Sequence, residues 1–234
     1  MIMPEEKAKI FLAGERGLNQ LDWFRSYNTF NFGKYFSEHK KAFGDLYVLN
    51  DDTLAAGKTV RMRIEETADI LLIPVVGTVE FKINNGSPGF VEAGQSLLYN
   101  ADKNSIIEFA NPYENDLINF LQIWIKANTE PKPDIAEIFS FDINETKNSL
   151  INLFFKNTNY KIGKYKGREE GVYKLNNPDN GLFVYIIEGA FEVQGRLLQQ
   201  RDGLALWNVL NVYFEALSND AIIIFLEVKN KPEA

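Results

Sequence analysis

Apolar and polar positions alternate along this chain in short runs. Thr78-Val-Glu-Phe-Lys-Ile switches at every residue, the period of a half-buried strand. Just before it, Asp69–Val76 is almost wholly apolar and stops at Gly77. Leu117–Ile125 is a longer run rich in β-branched and aromatic residues, the composition of a strand buried on both faces. Shorter runs at Phe90-Val91, Ser96–Tyr99 and Ser105–Phe109 lie between turn clusters such as Asn84-Asn-Gly-Ser-Pro-Gly and Ala93-Gly-Gln. A second block follows at Gly171–Leu175, Leu182–Ile187, Ala190–Val193, Leu204–Trp207, Val212–Ala216 and Ile222–Val228. Only Pro133–Phe139 and Thr146–Lys156 allow helical turns, and the second reads equally well as strand. Many short strands with frequent turns predict an all-β sandwich or barrel.

The two blocks also resemble each other. Ile73-Pro-Val-Val-Gly-Thr-Val-Glu-Phe aligns with Tyr185-Ile-Ile-Glu-Gly-Ala-Phe-Glu-Val. Further on, Phe90–Asn100 aligns with Leu198–Asn208 in the same order, which predicts an internal duplication. Pro131 and Pro133 interrupt a polar stretch between the blocks. The expected division is an N-terminal domain over 1–127, including an N-terminal extension, a linker over 128–141 and a C-terminal domain over 142–234.

Composition narrows the chemistry. The 234 residues carry a net charge of −7, no cysteine and one histidine. Without cysteine there is no disulfide, thiolate metal site or cysteine nucleophile. One imidazole excludes sites that need two, which covers most zinc and non-heme iron chemistry. An acidic chain without a basic patch argues against direct nucleic-acid binding. The charged start and the short apolar runs predict neither a secretory signal nor a membrane span, hence a soluble, cytoplasmic protein. His39 lies in Ser37-Glu-His-Lys-Lys and reads as a solvated loop residue. Trp23, Tyr27, Phe30 and Phe32 form an aromatic cluster that either lines a cleft or pins the N-terminal segment to the core. Asp51-Asp52 reads as a turn pair.

Three motifs in order resemble the pirin family of the cupin superfamily. Ser26-Tyr-Asn-Thr-Phe-Asn-Phe is similar to that family's Ser-Tyr-His-Thr-Phe-Ser-Phe. Phe43-Gly-Asp-Leu-Tyr-Val-Leu-Asn-Asp-Asp followed by Gly57 is similar to Phe-Gly-Pro-Leu-Arg-Val-Ile-Asn-Glu-Asp and Gly. Leu121-Gln-Ile-Trp-Ile matches the strand closing the first cupin. The resemblance implies a bicupin of two antiparallel jelly-roll β-barrels. It also implies one metal in the N-terminal barrel, held by three His and a Glu, with activity like quercetin dioxygenases in some members and transcriptional co-regulation in others.

Against the family's first metal motif, Gly57, Asp69 and Gly77 keep the spacing, but Arg63 and Glu65 stand at the two histidines. In the second motif an ungapped count puts Ile107 at the third histidine and Phe109 at the glutamate. A one-residue deletion instead puts Ile106 at the histidine and keeps Glu108 as the acid. Neither frame restores an imidazole. The resemblance therefore implies a pocket of Arg63, Glu65, Asp69, Ile107 and Phe109, or Glu108, without the family's metal. Arginine has no lone pair to donate, so an Arg63–Glu65 salt bridge in the vacated pocket is one reading. A hard divalent cation on the carboxylates is the other. Strand alternation offers a third, in which Met62 and Ile64 face inward and the charges face water. The expected role is a binding module for a small molecule or a protein partner. The alternatives are a carboxylate-based, metal-dependent dioxygenase and a co-regulator acting through protein contacts. The sequence leaves the oligomeric state open.

Overall fold

The structure, a computed structural model, describes residues 6–127, 136–154 and 157–230. The short runs form antiparallel strands throughout, with one 3₁₀ turn at Ala13–Glu15 and no α-helix among the described residues. No helix there is long and apolar enough to cross a membrane. The chain folds as two units, one over Gly17–Ser140 and the other joining the chain up to Arg16 to the chain from Phe141 onward.

In the first unit a seven-stranded sheet runs in the order Ala136–Ser140, Gln95–Ala101, Ala68–Val76, Ile118–Lys126, Leu46–Leu54, Phe24–Asn28, Gly17–Gln20. A four-stranded sheet runs Thr59–Arg63, Ile106–Ala110, Thr78–Ile83, Gly89–Glu92. The inward residues of both sheets, among them Ile70, Leu72, Phe81, Tyr99, Ile107, Phe109, Phe120 and Trp124, make one buried core. This is a jelly-roll barrel: alternation supplies an apolar inner face on each sheet, and the two faces close on each other.

The second unit repeats the plan. Its six-stranded sheet runs Lys7–Phe11, Gly203–Trp207, Asn180–Glu188, Ala221–Lys229, Asn157–Tyr165, Leu150–Phe154. Its four-stranded sheet runs Glu170–Lys174, Asn211–Ala216, Phe191–Val193, Arg196–Leu198. Apart from Gly17–Gln20, the seventh strand of the first unit's large sheet, the neighbours correspond to those of the first unit, so the duplication seen in the sequence is a duplication of topology. Its core gathers Tyr173, Val184, Phe191, Leu204, Phe214 and Phe225, with the buried Glu227 carboxylate accepting from Tyr173.

Three expectations change. Residues 136–140, assigned to the linker and to a helical turn, form a strand in register with Gln95–Ala101, Ala136 opposite Tyr99; residues 128–135 lie outside the described residues. The N-terminal segment does not extend the first domain. Lys7–Phe11 pairs with Gly203–Trp207 as the edge of the second unit's sheet, and Phe11 packs on Phe183 with ring centroids 5.6 Å apart. Asp51 and Asp52 are not in a turn but in the middle of Leu46–Leu54, both buried.

Candidate functional site in the N-terminal barrel

The strands Thr59–Arg63 and Ile106–Ala110 pair with Met62 opposite Ile107 and Val60 opposite Phe109. Directly opposed residues of an antiparallel pair share a face. Ile107 and Phe109 are fully buried in the barrel core, against which Val60 and Met62 also pack. Their neighbours therefore point outward. Arg61 meets Glu108 at 3.3 Å in a solvent-exposed ion pair. Arg63 is exposed and donates to Asn104 Oδ1 at 2.7 Å.

The strand then ends because Ile64 turns its backbone to the loop: its N–H donates to Ser105 O, and Asn104 N–H donates to Ile64 O. Ile64 is fully buried and Glu65 exposed. Asp69, half-buried, accepts from Asn100 Nδ2. Thus the expected pocket pair of Arg63 and Glu65 is not brought together. Burying Ile64 and packing Met62 on the core puts both charges on the solvent side.

Tested against the four-donor metal centre that the resemblance implies, these side chains do not fit. Ile107 and Phe109 face inward and have no lone pair, and Arg63 has none either. Among the described residues, no three His, Cys, Asp or Glu gather as a cage. His39 is an exposed loop residue, with Ser37 Oγ accepting from its backbone N–H at 3.4 Å. Of the aromatic cluster, Phe30 is buried, Phe32 meets Trp124 edge-on at 5.9 Å, Trp23 packs on the barrel core, and Tyr27 lies under the Arg25 guanidinium.

The barrel interior is nonetheless not all apolar. Along Leu46–Leu54 the inward positions after Val48 are Asn50, Asp52 and Leu54, since Val48 and Leu54 belong to the core and alternate residues share a face. Across the ladders Ser26 stands opposite Asp52 and Asn28 opposite Asn50. On the other side Phe120 stands opposite Asp52 and Gln122 opposite Asn50.

The result is a polar wall of Ser26, Asn28, Asn50, Asp52 and Gln122, each 1% exposed or less. Asn28 Nδ2 donates to Ser26 Oγ and Asn50 Oδ1, both at 2.8 Å, and Asn19 Nδ2 donates to Asn28 Oδ1 at 2.6 Å. Gln122 Nε2 donates to Asp52 Oδ2. Burial pushes the Asp52 carboxyl up to about 7, against the opposing hydrogen bonds from Ser26 and Gln122. Four buried atoms of this region lack a partner: Asn50 Nδ2, Asp52 Oδ1, Gln122 Oε1 and Trp124 Nε1.

Phe109 connects the two halves of the picture. Its ring packs 5.6 Å from Phe120, the residue opposite Asp52. A position the resemblance assigns to a metal ligand thus adjoins the polar wall. The sequence carried this wall in Ser26, Asn28, Asn50, Asp52 and Gln122. All five lie inside the three motifs quoted above, Gln122 in the mostly apolar Leu121–Ile125.

Comparison with known proteins gives the same placement. Residues 156–228 match the quercetinase C-terminal cupin domain. A quercetin 2,3-dioxygenase of Escherichia coli K12 is 24% identical over 221 residues, 91% of this chain and 95% of its own length. The pirin-like protein YhaK of the same strain is 27% identical over 139 residues, 59% of each chain. Crystal structures of E. coli YhhW superpose with TM-scores of 0.83 and 0.80 at 21% identity. They cover 97% and 96% of this chain and all of YhhW, and the second, of a bacterial pirin, contains nickel(II). These matches make the chain similar in sequence and in fold to the pirin-like cupins. The pirin-like fold is therefore present across both units.

Proposed function

We propose that this pirin-like bicupin is a binding module that holds a small molecule inside its N-terminal barrel and works without the family's imidazole metal centre. The observation that carries this reading is the lining. The inward positions Ile107 and Phe109 have no donor atoms, while the wall beside them presents hydrogen-bonding atoms that nothing in the fold satisfies. An unpaired buried polar atom costs about 1–3 kcal/mol, and a ligand or water that fills the place removes that cost.

The competing reading is the activity named for the relatives at 24% identity, a quercetin 2,3-dioxygenase. It requires a metal; of the acids expected to hold one, Glu65 and Glu108 face outward and Asp69 accepts from Asn100, which leaves Asp52 as the inward carboxylate of the wall. Elemental analysis of untagged protein purified without chelator separates the two. We expect transition metal far below one equivalent and no turnover of a flavonol when Fe²⁺ or Ni²⁺ is added. Near-stoichiometric metal, or turnover abolished by Glu65→Ala, would overturn the proposal.

A further inference from the structure

Buried polar atoms without partners number only a few per hundred residues in folded proteins. Here four lie on two neighbouring strands, on one barrel-facing wall. Their hydrogen-bonding senses are set by the neighbours. Asn19 donates to Asn28 and Asn28 donates to Asn50 Oδ1, which leaves Asn50 Nδ2 as an open donor. Gln122 Nε2 donates to Asp52 Oδ2, which leaves Gln122 Oε1 and, once the carboxyl is ionised above about pH 7, Asp52 Oδ1 as open acceptors. The Trp124 indole N–H can only donate. The wall thus offers two donors and two acceptors. Its one ionisable member is an acid, and the nearby guanidinium groups are turned away, Arg61 to Glu108 and Arg63 to Asn104.

We infer, building on the small-molecule reading above, that this wall recognises the uncharged edge of a ligand that donates and accepts side by side, a carboxamide or hydroxyl edge, and rejects carboxylates. A carboxamide gives its N–H to Asp52 Oδ1 or Gln122 Oε1 and takes the Asn50 or Trp124 N–H on its oxygen. A carboxylate of the same shape brings acceptors only. It leaves both protein acceptors unpaired and sets a second acid beside Asp52 with no buried cation to offset it. The Phe109 and Phe120 rings adjoining the wall suit the apolar body behind such an edge.

Acetamide and acetate are the test pair, nearly identical in shape and small enough to enter a closed barrel by local opening. Full-length protein is titrated with each at about pH 8, where Asp52 is ionised, following the Trp124 indole N–H and the Asn50 and Gln122 side-chain amides by NMR. Saturable shifts with acetamide are expected, with acetate weaker by more than about tenfold. Gln122→Met, similar in length but without Oε1, is expected to remove the acetamide response. Should that variant not fold, Trp124→Phe serves, read on the amides, with at least about threefold weaker binding.

Equal or tighter binding of acetate would overturn the inference. So would an acetamide response unchanged in the folded variant. No saturable shift with either probe would also overturn it, leaving a wall that holds water only. Metal content measured on the same sample separates the two proposals. Stoichiometric metal with acetamide selectivity sinks only the metal-free reading, and metal-free protein without selectivity sinks only this one.

Discussion

Asp52 concentrates the physics of the first barrel in one side chain. Its carboxyl is fully buried, receives hydrogen bonds from Ser26 and Gln122, and has no buried cation in its cluster, so burial holds its proton on to about pH 7. The unfolded chain releases that proton near pH 4. Between those values unfolding releases a proton, so stability falls as pH rises from about 4 to about 7 and is flat above. The span is worth roughly 4 kcal/mol. Denaturant midpoints at pH 5 and pH 8 check this. The wild type is expected to be the more stable at pH 5, and Asp52→Asn to lose most of that difference. Phe109 makes a second prediction at this scale. It fills the inward place beside Phe120, so Phe109→Ala should cost about 3–5 kcal/mol of folding free energy, measured by urea unfolding. A loss below about 1 kcal/mol would mean that the site is already loosely packed.

Single strands and turns carry the next level. The turn between Glu170–Lys174 and Asn180–Glu188 is tied to one buried carboxylate. Glu227 accepts from Tyr173 Oη, from the backbone N–H groups of Asn176 and Asn177, and from the side-chain amides of Asn176 and Asn180, at 2.8–3.2 Å. Glu227→Ala leaves these donors without their acceptor. We expect a loss of about 3 kcal/mol or more, with hydrogen-exchange protection falling first at Asn176 and Asn177. The N-terminal edge strand is held by close packing: Phe183 lies 2.6 Å from where a Cβ at Gly203 would be, and Phe11 packs on the same ring. Gly203→Ala should therefore displace Phe183 and loosen Lys7–Phe11. The check is faster amide exchange along that strand; unchanged exchange would show that Phe183 has room to move.

At the scale of the whole molecule, two copies of one topology have been lined differently. The strands Ile118–Lys126 and Ala221–Lys229 occupy equivalent places in their sheets, and their fifth residues are Gln122 and Phe225. Phe225 stacks on Tyr173 at 5.1 Å among apolar side chains, with Tyr173 satisfied by Glu227, whereas Gln122 faces Asn50 across a wall with unpaired polar atoms. The first barrel carries unpaired polar lining at a cost to its own stability, which is what the proposed binding site requires. Because the proposed site needs no metal, prolonged dialysis against a chelator should leave the Tm within about 1 °C. A fall of several degrees would reveal a bound ion stabilising the fold.

The sequence by itself determined the fold class and the duplication. Period-two runs and turn clusters are local signals, and burial of one face acts on every residue of a strand alike. It also held the residues of the polar wall, but not their meaning. Asn50-Asp51-Asp52 has turn composition, and it lies in a central strand because Leu46–Leu54 is paired on both sides, to Phe24–Asn28 and to Ile118–Lys126. Only that pairing puts Asp52 inside the barrel and Asp51 on the opposite face, where Asn119 donates to it at 2.7 Å. The same holds for Arg63 and Glu65. Motif spacing counts residues along the chain, whereas the side each one faces is fixed by Met62 and Ile64 seeking the core. The partner of the edge strand Lys7–Phe11 lies almost two hundred residues away along the chain, a distance no local pattern spans. Residue types and periods are written in the sequence; which groups meet inside the barrel was decided by the ladder that brings distant strands into register.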